Sequence, residues 1–222
     1  MELAGYIEHT LLRADATHAA IERLCEEARC HHFRCVCVNG SWVSLARELL
    51  SESAVKVVTV VGFPLGAMDA DAKRYETEVA IDCGAHEIDV VLNIGRLKDG
   101  NHAFVLRELR DVVEAADERL VKVILETCCL TRAEKEEACR LVLDSGAQFV
   151  KTSTGFGPSG ATIDDVRLLR QLVGDKFGLK AAGGIRDAET ACAMIEAGAN
   201  RIGTSSGVAI VVGLSGKTTD AS

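Results

Sequence analysis

The chain has 222 residues, 48% of them apolar, with 33 acidic against 25 basic side chains and a net charge of −8. That length suits one α/β barrel or two small domains, and only two prolines with no Gly/Ser-rich or Pro-rich linker favour a single domain over 1–222. The acidic balance without a basic tract argues against nucleic acid as a main partner, and no apolar run reaches the ~18 residues that span a membrane. The N-terminus carries Glu2 and no basic-then-apolar leader, so a cytoplasmic location is expected. Nine cysteines, an odd number, read as reduced thiols that mostly fill the core. Cys30, His31, His32, Cys35 and Cys37 match no zinc spacing, and no metal is expected.

Eight segments read as strands: 6–10, 34–38, 56–61, 87–92, 121–125, 149–152, 178–181 and 201–203. They recur roughly every 20–35 residues, the scale of one strand-helix unit. Between them lie helical patterns. Residues 17–30 put Ala20, Ile21, Leu24 and Ala28 on one face. Thr131 with Glu134 forms a capping box, and Thr162 with Asp165 marks another helix start. Most strands are apolar runs without alternation, as in parallel strands covered on both faces. Eight evenly spaced units favour a closed (β/α)8 TIM barrel; an open doubly wound sheet is the alternative, since periodicity does not establish closure.

Three helix-to-strand passages share a frame, Gly84-Ala85, Gly146-Ala147 and Gly198-Ala199, each read as a helix end. Five residues on stand Asp89, Lys151 and Gly203. Active sites of such barrels lie where strands end, so these positions carry the interest. Lys151 closes a short apolar strand and precedes Thr152-Ser153-Thr154-Gly155-Phe156-Gly157. A buried ammonium without a partner is costly, and one that gives up its proton is an amine nucleophile suited to Schiff-base chemistry. Period two places Asp89, Glu126 and Lys180 at comparable depth. Lys180 would lower the Lys151 pKa by like-charge repulsion, provided that Asp89 lies closer to Lys180, or to the reacting hydroxyl, than to Lys151. A purely structural ion network is the competing reading. Gly183-Gly184 and Gly203-Thr204-Ser205-Ser206 follow the last two strands, where barrels often bind phosphate; ordinary tight turns are the alternative there.

Longer motifs resemble a known family. They are Ile7-Glu8-His9-Thr10-Leu11-Leu12, Val36-Cys37-Val38-Asn39, Val61-Gly62-Phe63-Pro64-Leu65-Gly66, Glu87-Ile88-Asp89-Val90-Val91-Leu92-Asn93 and Val123-Ile124-Leu125-Glu126-Thr127. With them go the segments 151–157, 180–186 and 201–206. Together, from about 6 to 213, they resemble the deoxyribose-phosphate aldolases, a class I family. The resemblance implies a (β/α)8 barrel that cleaves 2-deoxy-D-ribose 5-phosphate to acetaldehyde and D-glyceraldehyde 3-phosphate. It implies Lys151 as the Schiff-base lysine, Asp89 and Lys180 as proton donors and acceptors, and no cofactor. Gly155, Gly183, Gly184, Gly203, Ser205 and Ser206 match its phosphate-binding positions. Glu8, Thr10, Cys37 and Glu126 are supporting residues. A homodimer is the family-level expectation. Alternatives are an aldolase for another phosphosugar and a non-catalytic phosphosugar-binding barrel. Glu8 stands where the family has Asp, Gly40 where it has Pro, and Ser159 where Gly is usual. Phe156 stands where some members have Lys, and the end, from about 214, is polar, expected to fray, and lacks a tyrosine. Cys37 reads either as a pocket thiol open to unsaturated aldehydes or as an inert core thiol.

Overall fold

The computed structural model describes residues 3–217, with side chains to 213. Eight strands, β1 (Ile7–Leu11), β2 (Cys35–Val38), β3 (Lys56–Val61), β4 (Glu87–Val91), β5 (Leu120–Ile124), β6 (Phe149–Lys151), β7 (Gly178–Ala182) and β8 (Arg201–Thr204), pair in parallel in chain order. β8 returns to β1, with Glu8 opposite Gly203, and closes the barrel. The fold is therefore the TIM barrel rather than the open sheet. Each strand ends within one residue of its expected position, because buried parallel strands are short apolar runs bounded by turns.

The helices are α1 (His18–Cys30), α2 (Val43–Leu49), α3 (Ala70–Asp82), α4 (Ile94–Lys98), α5 (His102–Ala115), α6 (Arg132–Ser145), α7 (Ile163–Val173), α8 (Ala188–Glu196) and α9 (Gly207–Lys217). Their starts follow the expected chemistry. Thr17 and Thr162 accept backbone N–H groups at the heads of α1 and α7, and Thr131 and Glu134 complete the capping box of α6. Gly84, Gly146 and Gly198 take φ of +98°, +90° and +118°, so the repeated Gly-Ala frame ends three helices where a side chain would be strained. The expected frayed tail falls on residues without described side chains and, from 218, outside the described residues.

One large apolar layer lies between strands and helices, with Val36, Ile88, Val123, Leu179 and Ile202 facing outward onto it. The barrel interior differs. On its β2–β3 side Cys35, Cys37, Val58 and Val60 form a small apolar cluster with Leu12. The remaining wall holds the buried charges, beside Val91 and Ile124.

Candidate active site

Strand alternation aims Glu8 of β1, Glu87 and Asp89 of β4, Lys122 of β5, Lys151 of β6, Lys180 of β7 and Arg201 of β8 into the barrel. Glu8, Asp89, Lys122 and Lys180 are wholly buried, and Lys151 is 2% exposed. Asp89 is the hub. Its Oδ1 accepts from Lys122 Nζ at 2.8 Å, and its Oδ2 accepts from Lys180 at 2.7 Å and Lys151 at 2.9 Å. Lys180 also donates to Glu8 Oε2. Lys122 lies 2.6 Å from Glu87 and 3.6 Å from Glu8.

The three lysines are held unequally. Lys122 has three carboxylates within reach, Lys180 has two, and Lys151 has only the Asp89 oxygen that it shares with Lys180. With Arg201, four cations face three carboxylates, so releasing one proton balances the network. Burial opposes charge on every member. For Lys122 and Lys180 the carboxylates outweigh burial, and both are held above the usual lysine range, Lys122 far above. Lys151 goes the other way. Burial pushes it down, Asp89 opposes this, and the Lys180 ammonium in register on the next strand adds to the fall. Burial also works against the Asp89 carboxylate, but the surrounding lysines outweigh it and hold Asp89 well below the carboxylate range.

The sequence-based condition on Asp89 is met only narrowly: the carboxylate bridges the two lysines instead of favouring one. Desolvation, not the like charge, is the larger cause of the lowered lysine.

A cavity of about 300 Å³ opens above Lys151 at the carboxyl ends of the strands. Thr10, Gly155, Gly183, Gly184, Gly203 and Ser205 line it. Gly155, Gly183 and Gly184 have φ of +84°, +89° and +80°, a backbone that side chains resist. Ser206 lies beside the cavity without lining it, its N–H committed to Thr204 Oγ1. Gly203 has a second reason to be glycine, because a Cβ there would come within 2.9 Å of Lys180 Cε. Glu8 reaches Lys180 despite its extra methylene, and Thr10 donates its hydroxyl to the Glu8 carbonyl. Cys37 is fully buried in the apolar cluster, with its thiol pushed up by burial.

Glu126 departs from expectation. β5 stops at Ile124, and Glu126 takes φ of +55°, so strand alternation no longer applies to it. It turns to Thr154, accepting from its N–H at 3.3 Å and from its hydroxyl, and so fixes the loop after Lys151. Sequence reasoning left out Lys122, Glu87 and Arg201, which lie deeper in the barrel, and two cations lining the cavity, Arg13 and Arg186. Arg13 is held by exposed Asp15 at 2.6 and 2.8 Å. The five-residue Gly-Ala frame that found Asp89 and Lys151 does not reach Lys122, which follows Asp117 by five residues and is placed by its pairing with Asp89 across β4 and β5. Cys30, His31, His32, Cys35 and Cys37 do not form one group of candidate ligands. Among the described residues, Glu8, Cys35 and Glu87 are the only group of three potential ligand residues, and Lys122 pairs with both of its carboxylates.

The family model for the DeoC/LacD family aldolases matches residues 5–213. The chain belongs to this family. It is 56% identical over 213 residues to the deoxyribose-phosphate aldolase of Brevibacillus brevis, covering 96% of each chain. It is equally 56% identical over 217 residues to that of Thermococcus gammatolerans, again covering 96% of both. Among solved structures, a putative deoxyribose-phosphate aldolase from Coccidioides immitis superposes with TM-score 0.93 at 40% identity, over 95% of this chain and 85% of that one. The Aeropyrum pernix deoxyribose phosphate aldolase, described as a unique tetramer, gives TM-score 0.90 at 33% identity over 96% and 91%. This aldolase therefore shares with its relatives the whole barrel that carries the lysine network.

Proposed function

We propose that the protein cleaves 2-deoxy-D-ribose 5-phosphate reversibly to acetaldehyde and D-glyceraldehyde 3-phosphate, with Lys151 as the Schiff-base nucleophile. One observation carries the assignment: Lys151 is the least neutralised of three central lysines, the one pushed down, and it lines the cavity. Its amine adds to the C1 aldehyde and loses water, giving an iminium. That cation is the electron sink for breaking C2–C3, so the scheme calls on no metal or organic cofactor. Asp89, directly or through water, takes the C3 hydroxyl proton; the enamine is then protonated at C2 and hydrolysed to acetaldehyde. Lys180 holds the shared carboxylate, keeps Lys151 short of its proton and passes protons. Glycine backbone at Gly155, Gly183, Gly184 and Gly203, with Ser205, Ser206 and Arg186, receives the phosphate. Glu8, Thr10, Cys37 and Glu126 frame this centre.

We place the enzyme in the cytoplasm, which suits nine cysteines with no disulfide among them. No helix among the described residues is long and apolar enough to cross a membrane. We propose a homodimer, for which exposed Leu65, Met68, Tyr75 and Val79 on and before α3 offer an apolar face.

Borohydride reduction in the presence of acetaldehyde tests the mechanism. The expected result is one ethyl adduct, mapped to Lys151. Reduction that labels a different lysine overturns the assignment.

A further inference from the structure

Two thiols that the aldol scheme does not use meet at the rim of the barrel. Cys128 and Cys129 lie in the 3-10 turn Thr127–Cys129 after β5, with their sulfurs 4.0 Å apart. Neighbouring side chains in extended backbone point to opposite faces. Here the left-handed Glu126 and the bond from Cys129 N–H to the Glu126 carbonyl, 2.9 Å, curl the chain so that both sulfurs share one side. Cys129 is exposed and Cys128 half-buried, so both can be reached.

The pair is linked to the site. The Cys128 thiol donates to Glu126 Oε1 at 3.8 Å, and the same carboxylate grips Thr154 in the loop that follows Lys151. Desolvation, Cys128 and Glu126 push the Cys129 thiol up. A thiol that keeps its proton is a poor nucleophile for peroxides and alkylating agents, which need thiolate. Two sulfurs 4.0 Å apart suit a soft electrophile that bonds to both at once.

We propose that Cys128 and Cys129 form a chelating dithiol site for trivalent arsenicals of the type R–As=O, and that occupancy weakens the hold of Glu126 on the Lys151 loop. Two S–H bonds and the As=O bond break, two As–S bonds form, and the protons leave with the oxygen as one water. Arsenic stays trivalent, so no oxidant or reductant is involved. Cys128 then has no proton to donate to Glu126.

The test is titration of the full-length protein with phenylarsine oxide, read by intact mass, free-thiol count and peptide mapping. The expected outcome is one adduct per chain, loss of two thiols, mapping to Cys128 and Cys129, and release by a dithiol but not by a monothiol. Cys129→Ala should weaken retention at least ~100-fold, the scale of a lost chelate. An adduct that consumes one thiol, maps elsewhere or survives Cys129→Ala unchanged overturns the site. The second arm rests on the proposed aldolase activity. The KM for phosphorylated substrate should rise several-fold on occupancy while borohydride trapping persists. An unchanged KM overturns the link to Glu126, and the binding readouts stand independently of any activity.

Discussion

Lys73 and Lys151 are both buried lysines with a carboxylate partner, and only one of them is placed for chemistry. Lys73 on α3 lies outside the barrel. Its ammonium donates to Glu108 of α5 at 2.7 Å and to the Val91 carbonyl of β4 at 2.9 Å. Gly62 leaves room for it, since a Cβ there would come within 2.8 Å of Lys73 Cε. Burial pushes Lys73 down and Glu108 up, as expected of a pair sealed from water. Lys151 is pushed down too, but its carboxylate also serves Lys122 and Lys180, and a cavity reaches its nitrogen. A lowered lysine pKa therefore does not mark a nucleophile. A shared counter-ion and an open path to substrate do.

Lys151→Ala is the sharpest way to break this contrast. Turnover and imine trapping should vanish together while the fold persists. Retained borohydride labelling in that variant would remove Lys151 from the mechanism. Lys73→Met should do the reverse. It leaves Glu108 buried without its cation, at a cost of roughly 3–5 kcal/mol and a Tm lower by roughly 6–20 °C. Imine trapping in the folded fraction should remain. Adding Glu108→Leu should restore most of the stability, because a packed apolar pair can replace a buried ion pair. A double variant no more stable than Lys73→Met would show that the pair also organises α3 and α5.

Lys180→Leu probes the shared counter-ion directly. Removing Lys180 deletes a like charge and frees Asp89 Oδ2 for Lys151 alone. Both effects raise the Lys151 pKa, so the acidic limb of imine formation should move to higher pH. At pH 7 turnover should fall roughly 10²–10⁴-fold, since a proton shuttle is lost as well. An acidic limb that stays in place would show that burial alone tunes the amine.

The same contrast explains how far local rules reach. Strand positions, the caps at Thr17, Thr131 and Thr162, and the trio Asp89, Lys151 and Lys180 follow from apolar runs, capping chemistry and period two. Lys122 does not, although it shares a strand face with the site. It sits deeper in the barrel, and its role depends on register with β4, which closure sets. Glu126 falls in with the network only if alternation is carried past the end of β5; a single left-handed residue cancels it. Lys73 gives no signal in the sequence, because a lysine within an amphipathic helix ordinarily points to water, and only the packing of α3 against α5 buries it.

The smallest effect is expected at the mouth of the cavity, where the contrast is between holding the amine and holding the substrate. Ser205 is exposed there, and Gly184 presents backbone with φ of +80°, where a Cβ would meet no atom within 4 Å. Ser205→Glu adds negative charge without touching the Asp89 network. It should raise the KM for the phosphorylated substrate about tenfold or more, each factor of ten being about 1.4 kcal/mol. The kcat should change little, because a uniform binding loss leaves the chemical step alone. Unphosphorylated deoxyribose should be spared, having no dianion to repel. Gly184→Glu should act in the same direction with an added backbone penalty, since its positive φ strains any side chain. Equal losses on both substrates would move the phosphate away from these loops, leaving Gly183 and Gly184 as a turn that lets the backbone pass Gly160. There a Cβ on Gly160 would stand 2.1 Å from the Gly183 carbonyl oxygen, so close approach alone would account for the glycines.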